Sequence, residues 1–425
     1  MSARTILLVA YQCGPGMGSV SQIGWEWYAR LSAVHAVTLV THVRNRAALE
    51  QAGAPMAGSK IIYIDTEWFA GPLYRLACRI FPRSEHSVFL VSSLDYFVFD
   101  FATYRHLHRL MANGARWSVL HRATPVTLAA PTWLGRLGLP TVIGPLNSGL
   151  ADPHGFDEIM KQESTWLIKV RALGHLADAV LGSSRLAARI LTASRTTLQA
   201  VAKRHHARCR MMLENGVELS RFTATPWPAA PSADQPLRVL FVGRLIPIKG
   251  VDMLLQAIAR LRDSGACVQL DIVGDGPMRK TWTALRDELG LADQATFHGA
   301  LPLDAVASRM SGCHVFCLPS VRESGGAVLL EAMASARPVI ALEFGGPAEI
   351  VSDEVGALLP LTSPAQVIDD LVLTLRDVVR EPLAWQHRGQ AGRQRVEERY
   401  SWPAKIAAAE HTYREIVEER SISCC

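Results

Sequence analysis

One pattern governs this sequence and is written out twice: a short apolar run, a glycine-bearing turn, then a helical stretch. In the first half, Thr5-Ile6-Leu7-Leu8-Val9-Ala10 is apolar throughout, as a parallel strand buried on both faces requires. Gly14, Gly16 and Gly18 punctuate the loop that follows, and a helix opens at residues 23–28. Runs at 37–40, 60–64, 118–121 and 140–144 repeat the strand style. Residues 223–236 break it: Thr223 to Pro231 holds three prolines and no apolar period, so the stretch reads as a linker. The pattern then restarts with strands at 237–243, 268–274, 296–299, 314–318 and 338–341 and an amphipathic helix at 251–261. Short strands alternating with helices predict open parallel sheets, and 425 residues suit more than one core. The expectation is an α/β fold of two Rossmann-like, doubly wound domains facing a central cleft. Its parts are 1–216, a linker at 217–236, 237–398, and a C-terminal helical segment at 399–425 packing back on the first domain.

Composition narrows the function classes. An apolar fraction of 49% with 20% charged residues is that of a soluble globular protein. No stretch is long and uncharged enough to cross a bilayer, and the run at 6–10 is too short for a secretory signal. The eight cysteines have neither disulfide nor zinc spacing, Cys424-Cys425 has no second pair, and His205-His206-Cys209 lacks a fourth ligand. A reducing, cytoplasmic setting without a structural metal is therefore expected. Charge is uneven: residues 1–216 carry 23 Lys and Arg against 13 Asp and Glu, and the rest 21 against 26. The acidic second half argues against nucleic acid, which requires a basic face.

Ligands of open α/β sheets bind beyond the carboxyl ends of the strands, so residues just after strands are the informative ones. Gly243-Arg244-Leu245-Ile246-Pro247-Ile248-Lys249-Gly250 sets two cations in one loop before a helix. A guanidinium fork and a compact ammonium suit adjacent phosphates, although a solvated surface turn has the same composition. Glu323 and Glu331 lie eight positions apart across Ser324-Gly325-Gly326-Ala327, where a helix is expected to start near Gly326. Carboxylates accept from the vicinal hydroxyls of sugars, and an acid favoured by the helix dipole is the plainer alternative. Gly345-Gly346-Pro347 and Gly274-Asp275-Gly276-Pro277 follow other strands, where most Gly/Pro clusters are turns. Gly14-Pro15-Gly16-Met17-Gly18-Ser19 resembles a phosphate-cradling loop without the spacing of a dinucleotide fingerprint or the lysine of a P-loop. His121 ends a strand, either aimed at a ligand or serving the core.

Together these residues resemble the retaining family-4 glycosyltransferases of the two-Rossmann GT-B fold. The resemblance spans nearly the whole chain. It is strongest in Gly243-Arg244-Leu245 with Lys249-Gly250 and in the Glu323/Glu331 pair followed by residues 332–340. Asn215-Gly216-Val217, Gly346 with Glu349-Ile350-Val351, and Tyr400-Ser401-Trp402 also look like the family. It implies an acceptor-side first domain and a donor-side second domain. Arg244 and Lys249 would hold the donor diphosphate, Glu331 the ribose hydroxyls, Glu323 hydroxyls of the transferred sugar, and His121 its far hydroxyl. Gly16, Gly18 and Ser19 would approach the diphosphate or acceptor. Gly243, Gly274, Leu301, Gly325, Gly326 and Ala327 would complete the donor site, with Leu301 beside the base. Such enzymes need no metal or cofactor beyond the nucleoside-diphosphate sugar. Two departures bear on the donor sugar and the acceptor: Ser324-Gly325-Gly326 where the family often has Gly-Phe-Gly, and Val20 where relatives with a similar first loop often carry Glu.

The acceptor is expected to be a glycan, a lipid-linked sugar or a natural product. Trp68 to Arg83 interleaves aromatics with three arginines. That suits a lipid-linked acceptor or a peripheral seat on the inner face of a membrane. A helix buried on its apolar side with an Arg-rich outer face is the reading the pattern favours. A sugar-nucleotide binder or an epimerase on the same fold is the alternative function.

Overall fold

The computed structural model describes residues 4–56, 58–80, 94–161, 178, 180–232 and 235–423. The chain forms two compact units. Unit 1 comprises the described parts of Met1–Gly149, Trp166–Glu214 and Lys405–Cys425, and unit 2 those of Leu150–Thr165 and Asn215–Ala404.

Unit 1 is built on seven strands: β1 (Thr5–Ala10), β2 (Ala36–His42), β3 (Lys60–Ile64), β4 (Val119–Thr124), β5 (Thr141–Leu146), β6 (Arg189–Thr192) and β7 (Cys209–Met211). Their order is β3-β2-β1-β4-β5-β6-β7, and every pairing is parallel. The helices used below are α1 (Ser19–Ser32), α2 (Glu67–Ile80) and α3 (Asp95–Ala112). Leu7, Val9, Val40, Phe99, Leu107, Leu120 and Leu134 form one buried cluster, to which α3 contributes Phe99 and Leu107. The continuous apolar run of β1 is the expected outcome of covering a parallel sheet on both faces.

Unit 2 repeats the scheme with β8 (Leu237–Val242), β9 (Val268–Val273), β10 (Ala295–Gly299), β11 (Val315–Leu318), β12 (Val339–Leu342) and β13 (Gly356–Leu359), in the order β10-β9-β8-β11-β12-β13. Helix α4 (Val251–Asp263) follows β8 and α5 (Ala327–Ala334) follows β11. In each unit the order reverses beside the first strand. That creates a switch point between β1 and β4 and another between β8 and β11, where doubly wound sheets take their ligands.

Two expectations are corrected, and three strands join those expected. First, 1–216 is not one continuous domain, because the described residues 150–161 group with unit 2. Gly149 and Gly155 take positive φ (87° and 83°), turning the chain away after β5. Asp152 then meets Arg322 at 3.4 Å. Second, the proline-rich stretch is fastened rather than free. Arg337, fully buried, gives Nη2 to Thr225 Oγ1 (2.6 Å), the Ser311 carbonyl (2.6 Å) and the Pro226 carbonyl (3.1 Å). Its Nε goes to the Met310 carbonyl at 3.1 Å, and Trp227 Nε1 donates to the His314 carbonyl at 2.9 Å. Prolines supply extended backbone whose carbonyls lack neighbouring strand partners, and a planar five-donor guanidinium satisfies several at once. The three added strands, β6, β7 and β13, have no apolar run long enough to announce them. β6 even begins on a charge: Arg189 meets Glu419 with Nη1 to Oε2 at 3.0 Å. Glu419 belongs to the last helix, α6 (Trp402–Ser423), which joins unit 1 from Lys405.

Candidate active site

At the switch point of unit 2 the loop after β8 meets the loop after β11. Gly250 ends a single turn (Pro247–Lys249) at φ 62° and leads into α4. A Cβ there would lie 2.3 Å from the Pro319 carbonyl oxygen, so only glycine lets the two loops close on each other. Val321 N–H donates to the Ile248 carbonyl at 2.9 Å, tying them further. The result brings Lys249 and Glu323 together: Lys249 Nζ donates to Glu323 Oε2, with the two side chains only 16% and 14% exposed. Two candidates separated by 74 residues thus form one charge-assisted pair.

Backbone amides complete the surroundings of Glu323. Gly326 N–H donates to its Oε1 at 3.4 Å and Gly346 N–H to its carbonyl at 2.9 Å. Gly345 and Gly346 are closed against this loop: a Cβ on Gly345 would sit 2.1 Å from the Glu323 carbonyl oxygen, and one on Gly346 2.6 Å from that of Ser324. Gly326, at φ 60°, precedes α5, which starts at Ala327 and carries Glu331. The first-turn amides and positive dipole end of α5 therefore open beside the Lys249–Glu323 pair. Gly325 is buried, while Arg244 and Ser324 are exposed.

Glu331 is partly buried, and burial pushes its carboxyl up to about 7, with the Arg221 guanidinium pulling the other way. Arg221, which sequence reasoning missed, is also paired with Asp304 at 3.2 Å; no residue pattern around it marked it out. Leu301 follows β10 and is half-buried. Gly243 lies beside the charged pair, since a Cβ on it would come 3.9 Å from Lys249 Cε.

Gly274 has a different reason to be glycine from the one expected. Its φ is 133°, and a Cβ would fall 1.9 Å from the Gly243 carbonyl oxygen. Gly243 N–H donates to Val273 and Gly274 N–H to Gly299, so the strand ends of β8, β9 and β10 are laced backbone to backbone. Gly274 packs the scaffold behind the site rather than opening it to a ligand.

In unit 1 the loop after β1 lies at the other switch point. Thr124, at the end of β4, clamps it: Gln12 N–H donates to Thr124 Oγ1 at 3.1 Å, and Oγ1 donates to the Gln12 carbonyl at 2.9 Å. Gly16 and Gly18 take φ of 72° and 102°, and among the described residues nothing comes within 4 Å of where a Cβ would stand on either. Ser19 opens α1. All three are exposed.

The expectation for His121 is corrected. It is wholly buried. Its Nε2 donates to the Gly144 carbonyl (2.6 Å), which fixes the tautomer, so Nδ1 accepts from Tyr413 Oη of α6 (2.6 Å). Trp27 closes edge-on at 4.8 Å between ring centres. Burial pulls the imidazole down to about 4. With both nitrogens used, the ring fastens α6 to β4 and presents nothing to a sugar. Tyr413 stands 292 residues away along the chain, so the pairing carries no sequence signal.

Comparison with known proteins follows the same outline. Residues 228–394 match the family model "Glycosyl transferases group 1". The chain is 37% identical over 156 residues to the 2-deoxystreptamine glucosyltransferase of Streptomyces kanamyceticus, covering 36% of this chain and 39% of that protein. It is 28% identical over 297 residues to the GDP-mannose-dependent alpha-(1-6)-phosphatidylinositol monomannoside mannosyltransferase of Mycolicibacterium smegmatis, covering 65% and 74%. The matched stretch thus spans well under half of the first relative and about three-quarters of the second. Among solved structures, sucrose-phosphate synthase from Thermosynechococcus elongatus superposes with a TM-score of 0.63 at 20% identity, over 98% of this chain and all of that one. Anabaena HepE in complex with UDP-glucose gives 0.60 at 16%, over 98% and 99%. At these identities the structural likeness establishes the fold class, GT-B.

Proposed function

From the match of residues 228–394 to the family model of glycosyl transferases group 1 we propose that this chain moves a sugar from a nucleoside-diphosphate sugar to an acceptor hydroxyl with retention at the anomeric carbon. The observation that carries the proposal is the Lys249–Glu323 pair, set at the β8/β11 switch point beside the N-terminus of α5. A leaving nucleoside diphosphate gains negative charge as the glycosidic bond breaks. Arg244, Lys249 and the α5 amides are the groups of unit 2 that would meet that charge. When the diphosphate takes the ammonium of Lys249, Glu323 is released to accept from hydroxyls of the sugar. Glu331 would accept from the ribose. Because cationic side chains and helix amides supply the charge, the transfer would not need a metal. Retention follows when the acceptor hydroxyl attacks from the leaving-group side and a donor phosphate oxygen takes its proton.

The acceptor would be a glycan, a lipid-linked sugar or a natural product, recognised by unit 1. Two relatives bear on this choice: one is named for 2-deoxystreptamine and the other for a phosphatidylinositol mannoside. A lipid-linked acceptor would bring this chain to the inner face of a membrane from the cytoplasm.

Turnover tests the proposal. Lys249→Ala should lower the rate by about two to three orders of magnitude, the scale for losing one group that stabilises developing charge. A folded variant turning over at the wild-type rate would remove Lys249 from the mechanism.

A further inference from the structure

Residues 150–161 come from the first half of the chain yet fold with unit 2, and they brace both loops of the Lys249–Glu323 pair. Three apolar side chains seat the segment: Leu150, Phe156 and Met160 are all buried. Gly155, at φ 83°, adds a close approach, since a Cβ on it would stand 2.4 Å from the Thr362 carbonyl oxygen. The short helix Asp157–Lys161 then lies beside the Pro247–Lys249 turn. At the other loop, a Cβ on Gly345 would stand 2.1 Å from the Glu323 carbonyl oxygen and 3.0 Å from Leu150 Cδ2, so Leu150 backs the glycine that backs Glu323. Asp152 Oδ1 meets Arg322 Nη1 at 3.4 Å, the two side chains being 30% and 20% exposed. Arg322 immediately precedes Glu323 in the chain.

We infer, on the proposed roles of Lys249 and Glu323, that Asp152 is a positioning residue for the donor sugar, holding Glu323 in place through Arg322 once the donor has taken Lys249. In the free protein the Glu323 carboxylate is held by the Lys249 ammonium and, at a longer 3.4 Å, by the Gly326 amide. A diphosphate that draws Lys249 away removes the stronger of these two holds. The loop is then kept from behind, by the Gly346 amide on the Glu323 carbonyl and by the Asp152–Arg322 ion pair. A carboxylate recognises vicinal hydroxyls only while it stays within about 0.5 Å of its productive place. A fully solvated ion pair would supply little restraint, but this one is largely withdrawn from water and its acid sits on a segment anchored at both ends. Asp152 therefore acts on the sugar, and little on the diphosphate or on the free fold.

Calorimetric titration of the full chain in EDTA tests it, with UDP, GDP, ADP and dTDP, then with the glucose, mannose, galactose and N-acetylglucosamine conjugates of the diphosphate that binds. Asp152→Asn, nearly isosteric, should weaken the tightest conjugate about ten-fold and the diphosphate less than about two-fold, the scale of one hydrogen bond to a charged group. Asp152→Glu, which keeps the charge, should restore much of the loss. Arg322→Gln should match Asp152→Asn, and the double variant should be no worse than either, as for two residues acting through one contact. Conjugate binding unchanged in Asp152→Asn would overturn the inference. Equal weakening of diphosphate and conjugate, or losses that add in the double variant, would also overturn it and leave Asp152 a structural residue. Failure of wild type to bind any of the four diphosphates is a separate result, which would overturn the donor site and this inference with it.

Discussion

Glu331 illustrates how a site residue is held at a cost. Burial lifts its carboxyl from near 4.5 to about 7. A carboxylic acid whose folded value is raised stabilises the fold fully below its unfolded value, and that stability is lost as pH rises through the folded value. Glu331→Gln should therefore melt like wild type near pH 4 and be the more stable protein above pH 7, by up to about 3 kcal/mol. The same substitution should abolish any rise in nucleotide affinity between pH 6 and 8, because an ionised carboxylate is the stronger acceptor for ribose hydroxyls. A gain in stability without loss of nucleotide affinity would show that Glu331 does not touch the ligand. His121 makes the converse case. Tyr413→Phe strips the donor from its Nδ1 and should cost about 1–2 kcal/mol while leaving turnover near wild type at saturating donor. A hundred-fold loss of turnover in a stable variant would return His121 to the active site.

At the scale of elements, what the sequence disclosed was whatever is local. β1, β8 and β9 are apolar enough to be read directly, and the loops that follow strands carry their glycines and charges within a few residues, which is what makes Arg244, Lys249, Glu323 and Glu331 legible as candidates. β6, with an arginine at its start, and β13, with four residues, offered too little period. The segment after β5 changes units through two left-handed glycines, and nothing in its composition says which core receives it. Glycine roles were the least legible, since identity alone does not tell a residue that bends the chain from one that lets two backbones touch. The structure separates them. Gly274→Ala should destabilise unit 2 by several kcal/mol and loosen nucleotide binding, because its Cβ has no room beside the Gly243 carbonyl. Gly16→Ala, with open space around it, should cost only about 1 kcal/mol for its positive φ. Urea unfolding of the two variants reads the difference, and equal costs would contradict the assignment.

Across the whole molecule the proposed function divides the work between the two units. Unit 2 holds the charged pair, the helix N-terminus and the matched family segment. Unit 1, in the basic half, holds the open loop at Gly16–Ser19. Along α2, expected to be buried on its apolar side, only Ala70 and Ala77 are buried, while Trp68, Leu76 and Ile80 are exposed. Residues 81–83 of that stretch lie outside the described residues. The central claim is that unit 2 binds a nucleoside diphosphate through Lys249 without a metal. Its most direct test is calorimetric titration of the full chain with UDP, GDP, ADP and dTDP in the presence of EDTA, repeated with Lys249→Ala. One nucleotide should bind in EDTA, and the substitution should weaken it about ten-fold or more, the worth of one charge-assisted phosphate contact. Binding that needs a divalent ion, or that survives Lys249→Ala unchanged, would contradict the claim.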